Sequence, residues 1–153
     1  MKICVCADSH GNPKGLQEML DRERPEVLLF LGDGERDWKW ITVPRETMFF
    51  AVCGNCDLAS AWPASERIEL CGKRIFLTHG HFYGAKSGLY GLERYVAEHP
   101  VDLVLYGHTH HPDWQNDGVC DYLCPGSMGY GEERYAVILL KEKQPIDVSF
   151  RRL

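Results

Sequence analysis

Histidine and aspartate residues follow apolar runs at several places in this sequence, and these residue types suit metal-assisted hydrolysis. The plainest case is His108 and His110, which come shortly after the apolar run at residues 101–105. In an extended segment the side chains at i and i+2 point to the same side, so both imidazoles can face one cluster of ligands. Neutral imidazole is the commonest protein metal ligand. The spacing therefore predicts part of a metal site here.

Four other predicted strands, at residues 2–7, 27–31, 47–53 and 73–78, also end in polar residues. Open α/β sheets place their sites at the carboxyl ends of strands, so these side chains can converge although they are far apart in sequence. Together with the two histidines they make more ligands than the four that a tetrahedral ion takes, and two ions that share a carboxylate would use them all. The further candidate ligands are Asp8, His10, Asp33, Asn55 and His79.

The elements that position these residues alternate along the first half of the chain. Apolar residues recur at helical spacing between Pro13 and Pro25, and residues 66–70 and 73–78 alternate polar and apolar side chains as in a hairpin. We expect a glycine-rich loop at residues 84–91, a short amphipathic helix after it, and antiparallel sheet from Asp113 onward. The pattern predicts one mixed α/β domain over residues 1–153, with two packed sheets and helices outside.

Composition limits the classes of partner. The chain has 153 residues and a formal net charge of −5, so we expect no stable complex with nucleic acid. No apolar run approaches the ~20 residues that span a bilayer, and Asp8 interrupts the apolar N-terminus, so we expect no membrane insertion and a cytoplasmic location. The 7 cysteines are an odd number and are expected to be reduced. A homo-oligomer stays open.

The ordered motifs of the chain resemble those of the calcineurin-like metallophosphoesterases, and most closely their small phosphodiesterase branch. The matching segments are Asp8-Ser9-His10, Gly32-Asp33, Gly54-Asn55-Cys56-Asp57, His79 in His-Gly-His, and Gly107-His108-Thr109-His110. They run in the family's order, and its compact core would cover essentially the whole chain. The resemblance implies a four-layer sandwich of two packed mixed sheets flanked by helices.

The resemblance also implies a ligand arrangement and a reaction. Asp8, His10 and His110 would hold one divalent metal ion, Asn55, His79 and His108 would hold the other, and Asp33 would bridge them. The oxygen and imidazole donors suit Mn, which we expect first, and also Fe, Zn, Co or Ni. The expected reaction is hydrolysis of a small phosphodiester by a hydroxide held between the metals, without a covalent enzyme intermediate.

One residue departs from the pattern of many family members. The position after Gly54-Asn55, where those members carry a histidine thought to protonate the leaving group, is Cys56 here. We do not assign Cys56 as the acid, and His81 is the nearest candidate for donating a proton or contacting phosphate. A weaker acid favours substrates with good leaving groups.

Three other interpretations compete with this one. The first is a non-catalytic scaffold that binds partner proteins, as the retromer subunit with this fold does. That subunit departs from the catalytic pattern, whereas this sequence retains it. Cys53-Gly54-Asn55-Cys56 has the spacing of a thiol redox site, which would leave the aspartates and histidines unexplained. A metallo-β-lactamase-like site fails because it requires His-x-His-x-Asp-His.

Overall fold

The computed structural model describes residues 1–153 and contains ten β-strands and two α-helices. In chain order they are β1 (Lys2–Cys6), α1 (Pro13–Glu23), β2 (Val27–Phe30), β3 (Met48–Ala51), β4 (Ser65–Leu70), β5 (Lys73–Thr78), α2 (Tyr90–Glu98), β6 (Leu103–Tyr106), β7 (Asp113–Asn116), β8 (Asp121–Cys124), β9 (Arg134–Leu139) and β10 (Asp147–Arg152). Short 3₁₀ helices lie at Glu35–Trp40, His81–Tyr83 and Ala85–Ser87.

The strands form two mixed sheets of five strands each. The first sheet has the order β10-β9-β1-β2-β3, and the second has the order β4-β5-β6-β8-β7. In the first sheet β1, β2 and β3 are parallel to one another, while β9 runs antiparallel to β1. In the second sheet β5, β6 and β8 are parallel. The carboxyl ends of the central strands therefore meet at one edge of each sheet.

Alternation along the strands creates the layers. Successive side chains of a strand point to opposite faces, and both faces of the central strands are buried. On β1, Ile3 and Val5 join an apolar core together with residues of the second sheet, while Cys4 and Cys6 pack with Leu16 and other residues of α1. A third core lies between the second sheet and α2. The predicted fold of two packed mixed sheets flanked by helices is confirmed.

Local sequence determines where helix α1, which connects β1 to β2, begins and ends. Pro13 occupies the first helical turn, where its missing N–H costs nothing, and the Asn12 side chain caps the helix by accepting a hydrogen bond from the Gly15 backbone N–H at 3.0 Å. The helix ends at Glu23 because Arg24 adopts a left-handed conformation and Pro25 follows. The predicted helix between Pro13 and Pro25 is confirmed.

Two sequence predictions about the second half of the chain are corrected. The region after Asp113 is not purely antiparallel, because β8 pairs in parallel with β6 and β9 crosses to the first sheet beside β1. The glycine-rich segment at residues 84–91 is not simply a loop, since it contains a 3₁₀ turn at Ala85–Ser87 and the start of α2. Neither α-helix has the length and apolar character that crossing a membrane requires.

Candidate metal centre

The predicted ligands come from both sheets. Asp8 and His10 follow β1, Asp33 follows β2, and Asn55 follows β3, all in the first sheet. The remaining ligands follow β5 and β6 of the second sheet, and they are His79, His108 and His110. The edge where the two sheets face each other therefore collects residues that span about 100 positions of the sequence.

The first cluster consists of Asp8, His10 and His110, with their ligand atoms within 4.8 Å of one another. Nε2 of His110 lies 3.2 Å from Oδ1 of Asp8, and Nε2 of His10 lies 3.7 Å from the same oxygen. Burial raises the pKa of Asp8, but the nearby imidazoles of His10, His110 and His79 outweigh it and lower that pKa overall. One carboxylate and two imidazoles thus converge on one point.

The second cluster consists of Asp33, His79 and His108, again with ligand atoms within 4.8 Å of one another. Nε2 of His79 lies 3.4 Å from Oδ2 of Asp33, and Nε2 of His10 lies 3.8 Å from that oxygen on its other side. Asp33 is therefore placed between the two clusters. Each cluster combines residues from both sheets, so an ion bound in either cluster would contact both sheets.

A search for polar atoms without partners tests whether these residues fit metal ions. Buried Oδ1 of Asp8, Nε2 of His10 and Nε2 of His79 have no hydrogen-bond partner. Buried polar atoms that lack a partner are costly, and a bound cation would give these three atoms a partner. Oxygen and imidazole donors suit divalent ions, so the residues of the two clusters fit divalent metal ions.

The backbone at the site is unusual. Five of the seven predicted ligands are non-glycine residues with positive φ, namely Asp8 (53°), His10 (43°), Asp33 (59°), His108 (70°) and His110 (63°). Such conformations are uncommon outside glycine and are tolerated where the surroundings hold them in place. The left-handed turns let these side chains stand at the ends of their strands.

Asp57 holds the turns that carry the ligands. Its carboxylate accepts hydrogen bonds from the backbone N–H groups of Asp33 (2.8 Å), Gly34 (2.9 Å), Glu35 (2.9 Å) and Gly54 (2.8 Å). The turn after β2 is thereby tied to the turn after β3. A side chain at Gly54 would collide with Asp33, so glycine is required there by close approach. These four contacts give Asp57 a structural role in the two turns.

His79 and Asp33 are oriented by neighbouring backbone groups. Nδ1 of His79 lies 2.7 Å from the carbonyl oxygen of Leu31, and because a carbonyl only accepts, Nδ1 carries the proton and leaves Nε2 free to bind a metal. The Cys56 N–H donates to Oδ1 of Asp33 at 2.7 Å. Burial raises the pKa of Asp33, but the nearby imidazole of His79 and the backbone N–H of Cys56 outweigh it and hold that pKa well below its usual range.

Two neighbours on the turn after β3 have exposed side chains. The Asn55 amide nitrogen donates to Sγ of Cys56 at 3.4 Å, and its role as a metal ligand stays a prediction. The Cys56 N–H on the same turn contacts Asp33. Sγ of Cys56 itself forms a third close group with His10 and Asp33. Cys53 and Cys56 both carry free thiols.

His81 lies at the margin of the second cluster. Its ring centroid is 5.3 Å from that of His79 and 6.1 Å from that of His108, and Nδ1 is buried without a partner. Burial and the charge of His79 lower the pKa of His81. The His81 ring therefore lies beside two residues of the second cluster.

Sequence reasoning missed several residues that border the site. Ser9 Oγ donates to Oδ2 of Asp37 at 2.6 Å, and that oxygen also accepts from the Gly11 N–H at 2.9 Å, which fixes the turn after β1. Tyr130 packs against two of the histidines, although the sequence indicated only a glycine-flanked turn there. No local sequence pattern could have predicted that Tyr130 lies at this site, because its partners His10 and His110 are far from it in the sequence.

Two packed mixed sheets with clustered carboxylate and imidazole side chains at their facing edge define a metallophosphoesterase. The family description "Calcineurin-like phosphoesterase superfamily domain" matches residues 1–144. The chain belongs to the calcineurin-like phosphoesterase superfamily, which classes it with metal-dependent phosphoric ester hydrolases. The family expected from the motifs is confirmed.

Two curated relatives are informative. The chain is 34% identical over 156 aligned positions to phosphodiesterase YfcE of Escherichia coli, with 84% of the chain and 79% of the relative covered. It is 30% identical over 112 residues to the probable metallophosphoesterase YsnB of Bacillus subtilis, with 72% of the chain covered. The match spans 64% of the length of YsnB.

Solved structures share the fold. A predicted phosphoesterase from Streptococcus pneumoniae superposes with a TM-score of 0.81 at 26% identity, covering 97% of this chain and 87% of that one. Vps29 of Entamoeba histolytica in complex with zinc has a TM-score of 0.76 at 19% identity, covering 99% of this chain and 98% of that one. The second similarity is one of fold alone.

Proposed function

We propose that the chain, acting as one domain, is a metal-dependent phosphodiesterase that hydrolyses a small phosphodiester with a good leaving group. The observation that carries this proposal is the pair of adjacent carboxylate–imidazole clusters, with Asp33 between them. Two ions held ~3.5–4 Å apart are the usual arrangement for displacement at phosphorus. The phosphodiesterase named among the relatives supports the same reaction class.

In this proposal Asp8, His10 and His110 hold one divalent ion, Asn55, His79 and His108 hold the second, and Asp33 contacts both. When bound, the ions supply an activated water and offset the negative charge of the phosphate oxygens. Mn²⁺ is our first choice, since the donors are oxygen and imidazole, with Fe, Zn, Co and Ni as alternatives.

The protein's own residues keep the site in position and limit the substrates. The Leu31 carbonyl fixes the tautomer of His79, and Asp57 fixes the turn that carries Asp33. His81 is proposed to contact the phosphate or to give a proton to the leaving oxygen, because it stands beside the second cluster. Cys56 is a poorer acid than histidine near neutral pH. Partial desolvation of its thiol and, to a smaller extent, the nearby Asp33 raise the pKa of Cys56 further. Activated diesters are therefore favoured over alkyl monoesters.

The test combines metal content with hydrolysis of bis-p-nitrophenyl phosphate in the presence of Mn²⁺. We expect wild type to take up divalent metal and hydrolyse the diester, and Asp33→Asn and His108→Ala to lose roughly 100-fold or more in kcat/KM. His99→Ala is the matched control, because His99 stacks on Tyr95 away from both clusters. A wild type that takes up no metal and matches the inactive variants would overturn the proposal.

A protein-interaction scaffold is the second candidate, favoured only by the fold shared with Vps29. The complete carboxylate and imidazole clusters weigh against it, since a scaffold has no need of buried polar atoms without partners. The experiment above separates the two, because a scaffold would lack the metal-dependent hydrolysis that Asp33→Asn removes.

A further inference from the structure

We propose that the cleft beside His108 and His110 binds one substituent of the phosphodiester, and that this substituent carries an aromatic ring and a further anionic group. The cleft is lined by residues of two loops, one 3₁₀ turn and two strands of the first sheet, including Lys86, His111, Tyr130, Arg134 and Phe150. This inference rests on the proposed phosphodiesterase function, and it adds the chemical class of the substrate.

Tyr130 gives the cleft an aromatic wall at the metal clusters. Its ring centroid lies 4.7 Å from that of His10 and 5.6 Å from that of His110, and the ring is nearly parallel to His110, at 29°. The side chain is nevertheless 73% exposed, so much of the ring faces the cleft. An exposed aromatic ring beside a reactive centre offers a stacking surface for a planar group.

The loop that carries Tyr130 is fixed to the ligand turn after β1. The Met128 N–H donates to the Ala7 carbonyl at 3.0 Å, and both the Gly129 N–H and the Ser127 hydroxyl donate to the Asp8 carbonyl at 2.9 Å. A side chain at Gly129 would lie 2.8 Å from the Ser9 carbonyl oxygen, so only glycine allows this approach. Tyr130 is therefore held at a set position relative to Asp8.

Charge distinguishes the two sides of the metal clusters. The cleft beside Tyr130 is lined by Lys86, Arg134 and one acidic residue, Glu132, which pairs with Arg134 at 3.0 Å and leaves Lys86 as the cation available to a ligand. The opposite cleft, beside His10 and Asp33, is lined by the acidic residues Glu35, Asp37 and Asp57 with Arg36 as the one cation. A substituent with an extra negative charge is thus attracted to the first side and repelled from the second.

The dimensions agree with this assignment. The cleft beside Tyr130 has a volume of about 830 Å³, whereas the acidic cleft has about 320 Å³. Ligand sites commonly span ~300–1,000 Å³, so the larger cleft accommodates a group the size of a nucleotide. Phe150, which is 40% exposed, adds a second aromatic surface to it.

Three diesters that share one leaving group test the proposal. They are ethyl p-nitrophenyl phosphate, thymidine 5′-(p-nitrophenyl phosphate), and the thymidine compound with an additional 3′-phosphate. Hydrolysis of each adds water at phosphorus, breaks the same phosphorus–oxygen bond and releases p-nitrophenolate. We expect kcat/KM to rise about 10-fold from the ethyl to the thymidine diester through stacking, and again with the 3′-phosphate.

Substitutions then assign each preference to a residue. Tyr130→Ala is expected to bring the ratio of thymidine to ethyl kcat/KM close to 1, while Tyr130→Phe keeps it because the ring remains. Tyr90→Ala is the matched control, since Tyr90 is equally exposed at 73% but lies outside this cleft. Lys86→Ala should remove the gain from the 3′-phosphate, and Lys141→Ala, in the turn between β9 and β10 at the far end of the first sheet, should keep it.

A binding measurement gives a readout that does not depend on turnover. Calorimetry with thymidine 3′,5′-bisphosphate should give a dissociation constant that weakens roughly 10-fold in Tyr130→Ala and in Lys86→Ala but not in Tyr90→Ala. Equal activity of wild type on all three diesters, or a Tyr130→Ala variant that keeps the ratio, would overturn the inference. Absence of any metal-dependent hydrolysis, even of the ethyl diester, would instead refute the proposed function.

Discussion

At the scale of residues, the sequence identifies the candidate ligands by type and order, and their metal-binding role stays a prediction, whereas their surroundings could not be predicted. In each motif the aspartate or histidine can be recognised from the sequence, because it closely follows an apolar run. Asp57 and Tyr130 act through partners brought close by the fold, and the sequence contains no local signal for such partners. The positive φ angles of five predicted ligands were equally invisible, since aspartate and histidine rarely adopt them.

His81 is the residue whose role most affects the chemistry. If His81 protonates the leaving oxygen, His81→Ala will reduce kcat for a diester with a poor leaving group about 100-fold, and kcat for bis-p-nitrophenyl phosphate much less. The measurement is kcat for diesters with leaving groups of graded pKa. The neighbouring Phe82→Ala serves as control, because the Phe82 ring contacts that of His81 at 4.0 Å but cannot transfer a proton. Equal loss across the series would show that His81 binds phosphate or supports His79.

At the scale of elements, strands with long apolar runs were placed within one to three residues, and their partners were harder to assign. The runs that became β1, β2 and β6 are buried on both faces, so composition alone marks them. The pairing of β8 with β6 could not be predicted from the sequence, because the neighbour of a strand and its register depend on residues far away in the chain. The short strands β7 and β8 resemble a hairpin locally, and they do pair antiparallel with each other.

The end of α1 provides a pH-dependent prediction. Glu23 accepts from Tyr135 Oη at 2.9 Å and pairs with Lys2 at 2.6 Å, which joins α1 to β1 and β9. Burial raises the pKa of Glu23, but Lys2 and Tyr135 lower it overall, so the ionised form stabilises the fold above pH ~4.3 and this contribution is lost as the pH falls.

Glu23→Gln should therefore reduce the free energy of unfolding by about 1 kcal/mol at pH 7 and by less near pH 3, as measured by urea denaturation. Glu18→Gln is the control on the same helix, since its pairing with Arg22 at 3.3 Å is exposed and contributes little. A Glu23→Gln difference that stays constant with pH would contradict this explanation.

At the scale of the whole molecule, both clusters combine side chains from the two sheets, so bound ions would connect the halves of the fold. Asp8 and His10 of the first sheet meet His110 of the second, and Asp33 meets His79 and His108. Asp8 and Asp33 are buried carboxylates, so ions bound beside them would offset negative charge inside the protein. Metal binding is thus expected to contribute to stability as well as to catalysis.

Removal of metal by a chelator should lower the Tm of wild type by roughly 5–10 °C, because binding at a hundredfold excess over Kd stabilises a fold by about 2.7 kcal/mol. Scanning calorimetry with and without Mn²⁺ measures this shift. His110→Ala should show a smaller metal-dependent shift, and His99→Ala should match wild type. A wild-type Tm that does not respond to metal would contradict the link between the sheets.

The strand order of the first sheet has a consequence for the chain as it is synthesised. β1 leaves the ribosome before one of its neighbours, β9, which begins at Arg134. The Ser127 hydroxyl, which holds the Asp8 carbonyl, also emerges after every predicted ligand. Until β9 has been synthesised, β1 carries an unpaired apolar edge, and such an edge is prone to wrong pairing. Metal capture at that early stage would have to occur before Ser127 and Gly129 hold the Asp8 carbonyl.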